Sequence, residues 1–294
     1  MATQYKIRSM LWRALAAAAA GLLSAASAQA QPPEPDAPDE TQADARHVSG
    51  RLIAYTTPVG SSEIRASAIR PYRARWTTAN GAIEEELEFA DEARLRHTQR
   101  AYRNMNDRLT LVATETRMIS RADLRSLSWA RRHDADLSAR APFSSVRGEM
   151  RPGAFVGEMT TYDGATEPYE YSTPGLAFDG WIVGLVIAAL PLRGGYWASL
   201  PTTTHIARGN HHLTARVVGE DVYETPQGEE IPVWRVAAEW VHLENGDVYD
   251  PGAAGSGGVY GIAKAPGGGV PYVVSYENAQ ASILWDGVRR LAPE

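Results

Sequence analysis

The sequence of 294 residues contains no cysteine. Disulfide cross-links and attachment of a lipid at a cysteine are therefore excluded. Lysine occurs only as Lys6 and Lys264, so arginine supplies nearly all of the positive charge. Phenylalanine is also scarce, with four residues against eight tryptophans and thirteen tyrosines. Most large rings thus carry a polar atom, which suits a groove that is apolar yet reachable by water.

Catalytic signatures are missing as well. The nucleophile elbow Gly-x-Ser-x-Gly does not occur, and Gly255-Ser256-Gly257 only approximates it. The glycine-rich stretch 252–269 lacks the Gly-Lys-Ser/Thr ending of a phosphate-binding loop, so it favours a flexible hairpin loop. The triplet Glu84-Glu85-Glu86 is typical of a solvated face. The sequence predicts no catalytic residue and no cofactor, and an enzyme such as a hydrolase is the third-ranked class of function.

Several histidines lie close together in the second half of the chain. His205, His211 and His212 are followed by Glu220 and His242. Their spacing fits none of the common zinc motifs, and adjacent residues of a strand point to opposite faces. We expect a turn with exposed histidines rather than a metal site.

The first thirty residues have the pattern of a secretory signal. Lys6, Arg8 and Arg13 precede the apolar run Leu15–Leu23, which is too short to span a bilayer. Small residues at Ala28 and Ala30 predict cleavage after Ala30. We therefore expect a periplasmic or secreted protein that has no transmembrane span after cleavage.

The mature chain is predicted to be acidic and to begin with a linker. Residues 31–50 are rich in proline and acidic residues, which predicts a disordered tether before a single β-rich domain over residues 51–294. Loss of the three positive residues of the signal takes the net charge from −6 to −9. Such a surface disfavours nucleic acid as a partner.

Strand patterns dominate the rest of the chain. Apolar residues alternate with polar ones in Leu213–Val217 and Val233–Val241, and short apolar runs are separated by turns such as Glu244-Asn245-Gly246. These patterns predict antiparallel strands with one solvated face. An exception is 180–190, where apolar residues recur at helical spacing between Asp179, a plausible N-cap, and Pro191. We expect this short apolar helix to pack against a curved sheet.

The same region resembles a known family. Phe178-Asp179, the apolar segment ending in Ala189-Leu190-Pro191-Leu192, and Gly194-Gly195-Tyr196 are similar to the central signature of an exported bacterial family, domain of unknown function 3108 (DUF3108). Val217-Val218-Gly219-Glu220 and Val233-Trp234-Arg235-Val236 resemble its paired strands, and the likeness covers residues 121–285. It implies a fold similar to the half-barrels of periplasmic lipoprotein carriers, in which a curved sheet wraps a helix and can hold acyl chains.

This resemblance and the aromatic content rank a non-catalytic binder of a lipid or another amphiphile first. A structural or interaction protein of the cell envelope, with an envelope protein as its partner, is the alternative. The candidate ligand-binding residues are aromatic: Trp181, Tyr196, Trp197, Trp234 and Trp240. Ordinary packing in the core is the alternative for these rings, and their number alone favours it. On an extended strand, Trp234 and Trp240 would share one face and bracket a groove.

An arginine-rich stretch leaves two interpretations open. Residues 94–151 carry more arginines than acidic residues in an otherwise acidic chain. They could meet an anionic lipid or polysaccharide surface, or form the outward faces of three or four strands. The second interpretation is favoured because arginine replaces lysine throughout the sequence.

Overall fold

The computed structural model describes residues 47–48, 51–52, 63–135, 143–173, 177–205, 209–242, 257–278 and 282–291. The predicted signal segment, its cleavage site after Ala30 and the predicted linker, apart from His47–Val48, lie outside these residues. Within the described ranges, no helix has both the length and the apolar character needed to cross a membrane.

Strands make up most of the described chain. In chain order they are β1 (His47–Val48), β2 (Arg51–Leu52), β3 (Tyr72–Thr78), β4 (Gly81–Phe89), β5 (Arg94–Met105), β6 (Arg108–Ser120), β7 (Ser126–His133), β8 (Ser145–Arg151), β9 (Ala154–Thr160), β10 (Thr166–Ser172), β11 (Phe178–Asp179), β12 (Trp197–Thr204), β13 (Gly209–Glu224), β14 (Glu230–His242), β15 (Gly257–Ala263), β16 (Val273–Glu277), β17 (Ser282–Trp285) and β18 (Arg289–Arg290). In the same described residues, a 3₁₀ turn spans Ala66–Ala68 and an α-helix, α1, spans Val183–Ala188.

One large curved sheet contains β3 to β18, while β1 and β2 form a separate pair. Its order is β10-β9-β8-β7-β6-β5-β4-β3-β17-β16-β15-β14-β13-β12-β11, and β18 pairs with β13. Adjacent strands are antiparallel except for β11 and β12, which are parallel. The sheet is open, since β10 and β11 stand at opposite ends of this order. The predicted curved, mainly antiparallel sheet with one packed apolar helix is confirmed.

The helix is shorter than the predicted 180–190, and its first residue follows Ile182 rather than Asp179. Asp179 instead ends β11 and accepts a hydrogen bond from the backbone N–H of Trp181 at 2.9 Å through Oδ1. Its other carboxylate oxygen is held by an arginine from β6. The predicted N-cap was therefore wrong, because a buried countercharge fixes the carboxylate before the helix starts.

The largest core cluster lies where helix α1 meets the sheet, on the face that we call the inner face. Val183, Val186 and Ile187 are at most 1% exposed there. From the sheet, the cluster takes these buried residues: Leu87, Leu95, Ile119, Ala198, Leu200, Leu213, Ala215, Val217, Val236, Ala238 and Ile262. Alternation along β13 and β14 therefore directs one residue in two toward the helix, as their sequence pattern predicts.

Strand β14 departs from the half-solvated prediction at its start. Ile231 and Val233 are buried in a second cluster with Tyr223, Val274 and Val288. Val233 lies on the face opposite Val236, because residues separated by an odd number alternate. The segment that leads into β18 contributes Val288 to this cluster, so the outer face of β14 is buried at its start, while Pro232 on the inner face is exposed and Trp234 is half-buried.

The glycine-rich stretch 252–269 was predicted to be a flexible hairpin loop, which was wrong for Gly257–Ala263. These residues form β15, paired with β14 and β16. A Cβ at Gly258 would lie 2.7 Å from the ring of Tyr276, and one at Gly261 would lie 2.4 Å from Ser275 Oγ. The absence of a side chain at Gly258 and Gly261 therefore leaves room for the side chains of Tyr276 and Ser275 on the neighbouring strand β16. Residues 252–256 lie outside the described part.

We expect Gly148→Ala to destabilise the protein by about 1–3 kcal/mol through overpacking. A Cβ at Gly148 would lie 2.5 Å from the ring of Phe155 and 2.7 Å from the Cα of Gly157. Urea unfolding followed by circular dichroism measures the loss. Gly194→Ala is the control, since its Cβ would meet no atom within 4 Å. Equal stability of the two variants would contradict the packing described for β8 and β9.

Candidate functional site

Charged side chains are buried on the inner face beside helix α1. Arg117 of β6 and Asp179 of β11 are both 0% exposed, and Arg117 Nε donates to Asp179 Oδ2 at 2.5 Å. A second nitrogen of Arg117 pairs with Glu115, which also pairs with Arg131 of β7. Both carboxylates therefore share guanidinium partners, as buried charges require.

Strand register positions these groups. His97, Arg117 and Trp129 lie directly opposite one another on β5, β6 and β7. Residues that face each other across antiparallel strands share one side of the sheet, so the three side chains form a row. Trp129 also donates from Nε1 to Glu115 Oε2 at 3.3 Å. The indole thus covers the charged pair on the side of β7.

His205, directly after β12, joins the same group. Its Nε2 lies 3.0 Å from Asp179 Oδ2, and its Nδ1 is hydrogen-bonded to the hydroxyl of Tyr171. The indole of Trp129 stacks on the imidazole, with ring centroids 4.6 Å apart and planes at 12°. Because His205 is 0% exposed, the prediction of an exposed histidine turn is wrong at this residue. His211 is also buried, and the side chains of His212 and His242 lie outside the described part.

These contacts join the two ends of the open sheet. Tyr171 and Tyr169 belong to β10, whereas Asp179 belongs to β11. The hydroxyl of Tyr169 donates to the backbone carbonyl of His205 at 2.7 Å. We call Glu115, Arg117, Arg131, Tyr171, Asp179 and His205 the seam cluster. The backbone hydrogen bonds of the sheet do not join β10 to β11, and the side chains of the seam cluster connect these two ends instead.

In the seam cluster, two carboxylates face two guanidinium groups. Burial alone would raise the pKa of Asp179, but the charges of Arg117 and His205 outweigh it and hold that pKa far below its usual range. Burial opposes ionisation of Glu115 as well, and Arg117 with Arg131 overcomes it, so the pKa of Glu115 is lowered. Both acids are ionised at neutral pH.

The seam cluster therefore has a structural role. Arg117, Asp179 and His205 have no exposed surface, so they cannot meet a ligand without opening of the sheet. In the described ranges, no group of three or more His, Asp or Glu side chains has the arrangement of a metal site. The cluster binds β6, β10, β11 and β12 together.

A second buried charged group was missed in the sequence. Glu85, predicted to belong to a solvated face, is only 12% exposed in its side chain. Its Oε1 accepts from the hydroxyl of Tyr72 at 2.6 Å and lies 2.7 Å from His97 Nε2. Burial would raise the pKa of Glu85, but His97 and these hydrogen bonds lower it. Glu85 lies two residues before buried Leu87, so the two side chains share one face of β4. This spacing is the signal that could have identified Glu85 as buried.

His133 makes the stability of the protein depend on pH. Its burial and the adjacent charge of Arg131 lower its pKa from 6.5 to about 4. Arg131 donates to its Nε2 at 2.9 Å, and Tyr162 lies 2.7 Å from its Nδ1. The unfolded chain therefore binds more protons than the folded protein between these two pH values.

We expect the stability that neutral His133 contributes to be complete above pH 6.5 and to be lost as the pH falls toward 4. The variant His133→Phe keeps the stacking on Phe143, whose ring centroid lies 5.3 Å away. Its unfolding free energy, measured in urea, should fall less between these pH values than that of the wild type. Equal slopes in the two proteins would show that His133 does not titrate on unfolding.

The structure describes the side chains of four of the five predicted ligand-binding aromatics and places them in different surroundings. Tyr196 is buried in the cluster around helix α1, and Trp234 is half-buried against it. Trp181 is 44% exposed, and the ring of Trp234 lies under Lys264 Nζ at 4.1 Å. Trp197 precedes buried Ala198, so alternation places it on the opposite face. The side chain of Trp240 lies outside the described part, and the predicted bracket with Trp234 stays a prediction.

Comparison with known proteins agrees with the resemblance in the sequence. A comparison with curated proteins finds no match. Among solved structures, the chain is similar to the crystal structure of a beta-barrel-like protein of domain of unknown function DUF1849 from Brucella abortus, with 12% identity and a TM-score of 0.44. That likeness covers 76% of this chain and 100% of the other. The family model described as a protein of unknown function (DUF3108) matches residues 97–247, which include the whole seam cluster. The chain belongs to the DUF3108 family.

Proposed function

We propose that the protein is a non-catalytic binding protein of the cell envelope, which holds the apolar part of an amphiphilic ligand between helix α1 and the inner face of the sheet. The main support for this proposal is the apolar character and burial of helix α1. It has no charged residue in its first or last turn, and Val183 to Ile187 are all buried against the sheet. An apolar chain that displaced the helix would meet the same side chains.

Aromatic residues with polar tips support this position for a ligand. Tyr72, Trp234 and Tyr260 are half-buried and pack at the margin of the cluster that contains helix α1. The pKa of the Tyr260 hydroxyl is raised well above its usual value, first by burial and then by Tyr276. Rings of this kind can contact an apolar chain while their hydroxyls face a polar headgroup.

Helix α1 is in close contact with the sheet at Gly184. A Cβ at Gly184 of helix α1 would lie 3.0 Å from Val273 Cγ2 of β16 and 3.2 Å from the ring of Tyr260. The helix therefore rests directly on the sheet, and a ligand can enter only when the two separate. Because the chain has no cysteine, an engineered pair at this contact would form the single disulfide of the protein.

The test is the double variant Gly184→Cys/Val273→Cys. Disulfide Cβ atoms lie about 3.5–4.5 Å apart, and the Cβ of residue 273 is one bond away from the Cγ2 atom that a Cβ at position 184 would approach to 3.0 Å. The reduced protein should bind the apolar dye N-phenyl-1-naphthylamine and give energy transfer from tryptophan. The oxidised protein should lose this binding, and a reductant should restore it, because the disulfide locks the helix on the sheet.

The single variants Gly184→Cys and Val273→Cys, treated with the same oxidant, control for effects of the substitutions. Native mass spectrometry of the wild type, purified from the envelope, should show a copurifying lipid. No dye binding by the folded wild type, or equal binding by the oxidised and reduced double variant, would reject the proposal and favour a structural role in the envelope.

A further inference from the structure

An open groove of about 580 Å³ lies where β3 separates from β17, away from helix α1. Its lining includes Arg73, Arg75, Glu84, Arg100, Trp285 and Asp286. β17 pairs with β3 only at Thr77 and Trp76, so the two strands diverge beyond this point. The backbone N–H of Asp286 still donates to the carbonyl of Arg75 at 2.7 Å, which fixes the wall of the groove.

Most of the charged side chains that line the groove are paired with a residue of opposite charge. Arg73 pairs with Glu86 at 2.5 Å, and Arg75 lies 3.9 Å from Glu84. Glu85, which also contributes to the lining, is held by His97 and Tyr72. The groove therefore has no strong field of either sign, which argues against a polyanion or a polycation as its ligand.

Two groups of opposite charge remain available to a ligand. The guanidinium of Arg100 and the carboxylate of Asp286 form no hydrogen bond or ion pair with another described residue, and Asp286 is exposed. Arg100 offers several donors in one plane, and Asp286 offers two acceptors. Trp285 precedes Asp286 in the chain, is half-exposed, and adds to the lining an indole ring with an N–H donor.

We infer that this groove binds a neutral oligosaccharide. A sugar ring presents hydroxyls that both donate and accept, and one apolar C–H face. Guanidinium and carboxylate groups can bind neighbouring hydroxyls, while the indole can contact the C–H face. An acyl chain would find only Ala74 and Trp285 as apolar side chains in the lining. The inference is independent of the amphiphile site, which lies against helix α1.

Isothermal titration of the purified protein with cellotetraose, maltotetraose and chitotetraose, each at millimolar concentration, tests the inference. At least one sugar should bind and change tryptophan emission, and Trp285→Phe should abolish the change in emission. Arg100→Gln and Asp286→Asn should each weaken binding about tenfold or more, which corresponds to about 1.4 kcal/mol. Asparagine tolerates the φ of 40° at position 286, so that variant should fold.

Arg147→Gln is the matched control, because this arginine is 79% exposed in its side chain, lies on β8 outside the lining of the groove and pairs with Glu158. It should bind the sugar as the wild type does. Absence of binding by the wild type for all three sugars would overturn the inference. Unchanged affinity in both Arg100→Gln and Asp286→Asn would place any sugar elsewhere on the protein and overturn it equally.

Discussion

Substitution of Asp179 by alanine is expected to cost about 3–5 kcal/mol of unfolding free energy, because it leaves the guanidinium groups of Arg117 and Arg131 to share the single carboxylate of Glu115. Arg117 has no exposed surface and cannot reach water while the sheet stays closed. The loss also removes the partner of His205 Nε2, so contacts between β10 and β12 should weaken. Chemical unfolding, followed by tryptophan emission, measures the effect.

Two further variants separate the buried charge from general damage. Arg117→Met/Asp179→Leu removes both members of the pair and should be more stable than Asp179→Ala, since no unpaired charge remains between them. Glu158→Ala breaks an exposed pair with Arg147 and should cost less than about 1 kcal/mol. If Asp179→Ala were no less stable than Glu158→Ala, the seam cluster would have no role in holding the sheet closed.

The second large effect is expected for Leu185→Asp. Leu185 is 4% exposed in the cluster between helix α1 and the sheet, where an aspartate would have no partner of opposite charge in its own helix. Burial of an unpaired charge costs several kcal/mol, and a typical domain has only about 5–15 kcal/mol of stability. We therefore expect the variant to lose its cooperative thermal transition in circular dichroism.

Trp181→Asp provides the comparison, four residues earlier in the chain. Trp181 is 44% exposed, so an aspartate at this position can stay in water. This variant should unfold close to the wild-type temperature. A Leu185→Asp protein as stable as Trp181→Asp would show that helix α1 does not pack on the sheet in solution.

The sequence alone predicted those elements whose signals are local. Alternation in Leu213–Val217 and Val233–Val241 indicated strands, and the apolar spacing before Pro191 indicated the helix. Family membership was also available locally, since the motif around Phe178–Asp179 is a continuous string. The helix start was misplaced because Asp179 has the composition of an N-cap, and the sequence does not show that Arg117 binds its carboxylate.

Tertiary structure decided what the buried polar residues do. Glu115 and Arg117 alternate with threonines, so neither face of that part of β6 is apolar enough to show which one is buried. Only the rolled sheet brings β6 against β11, 62 residues later in the chain. Glu85 was misjudged within a charged triplet for the same reason, because its partner His97 belongs to the next strand. Local periodicity determined the strands and the helix of this protein. The partners of its buried charges depend on strand order and register, which bring distant residues together and which no local pattern contains.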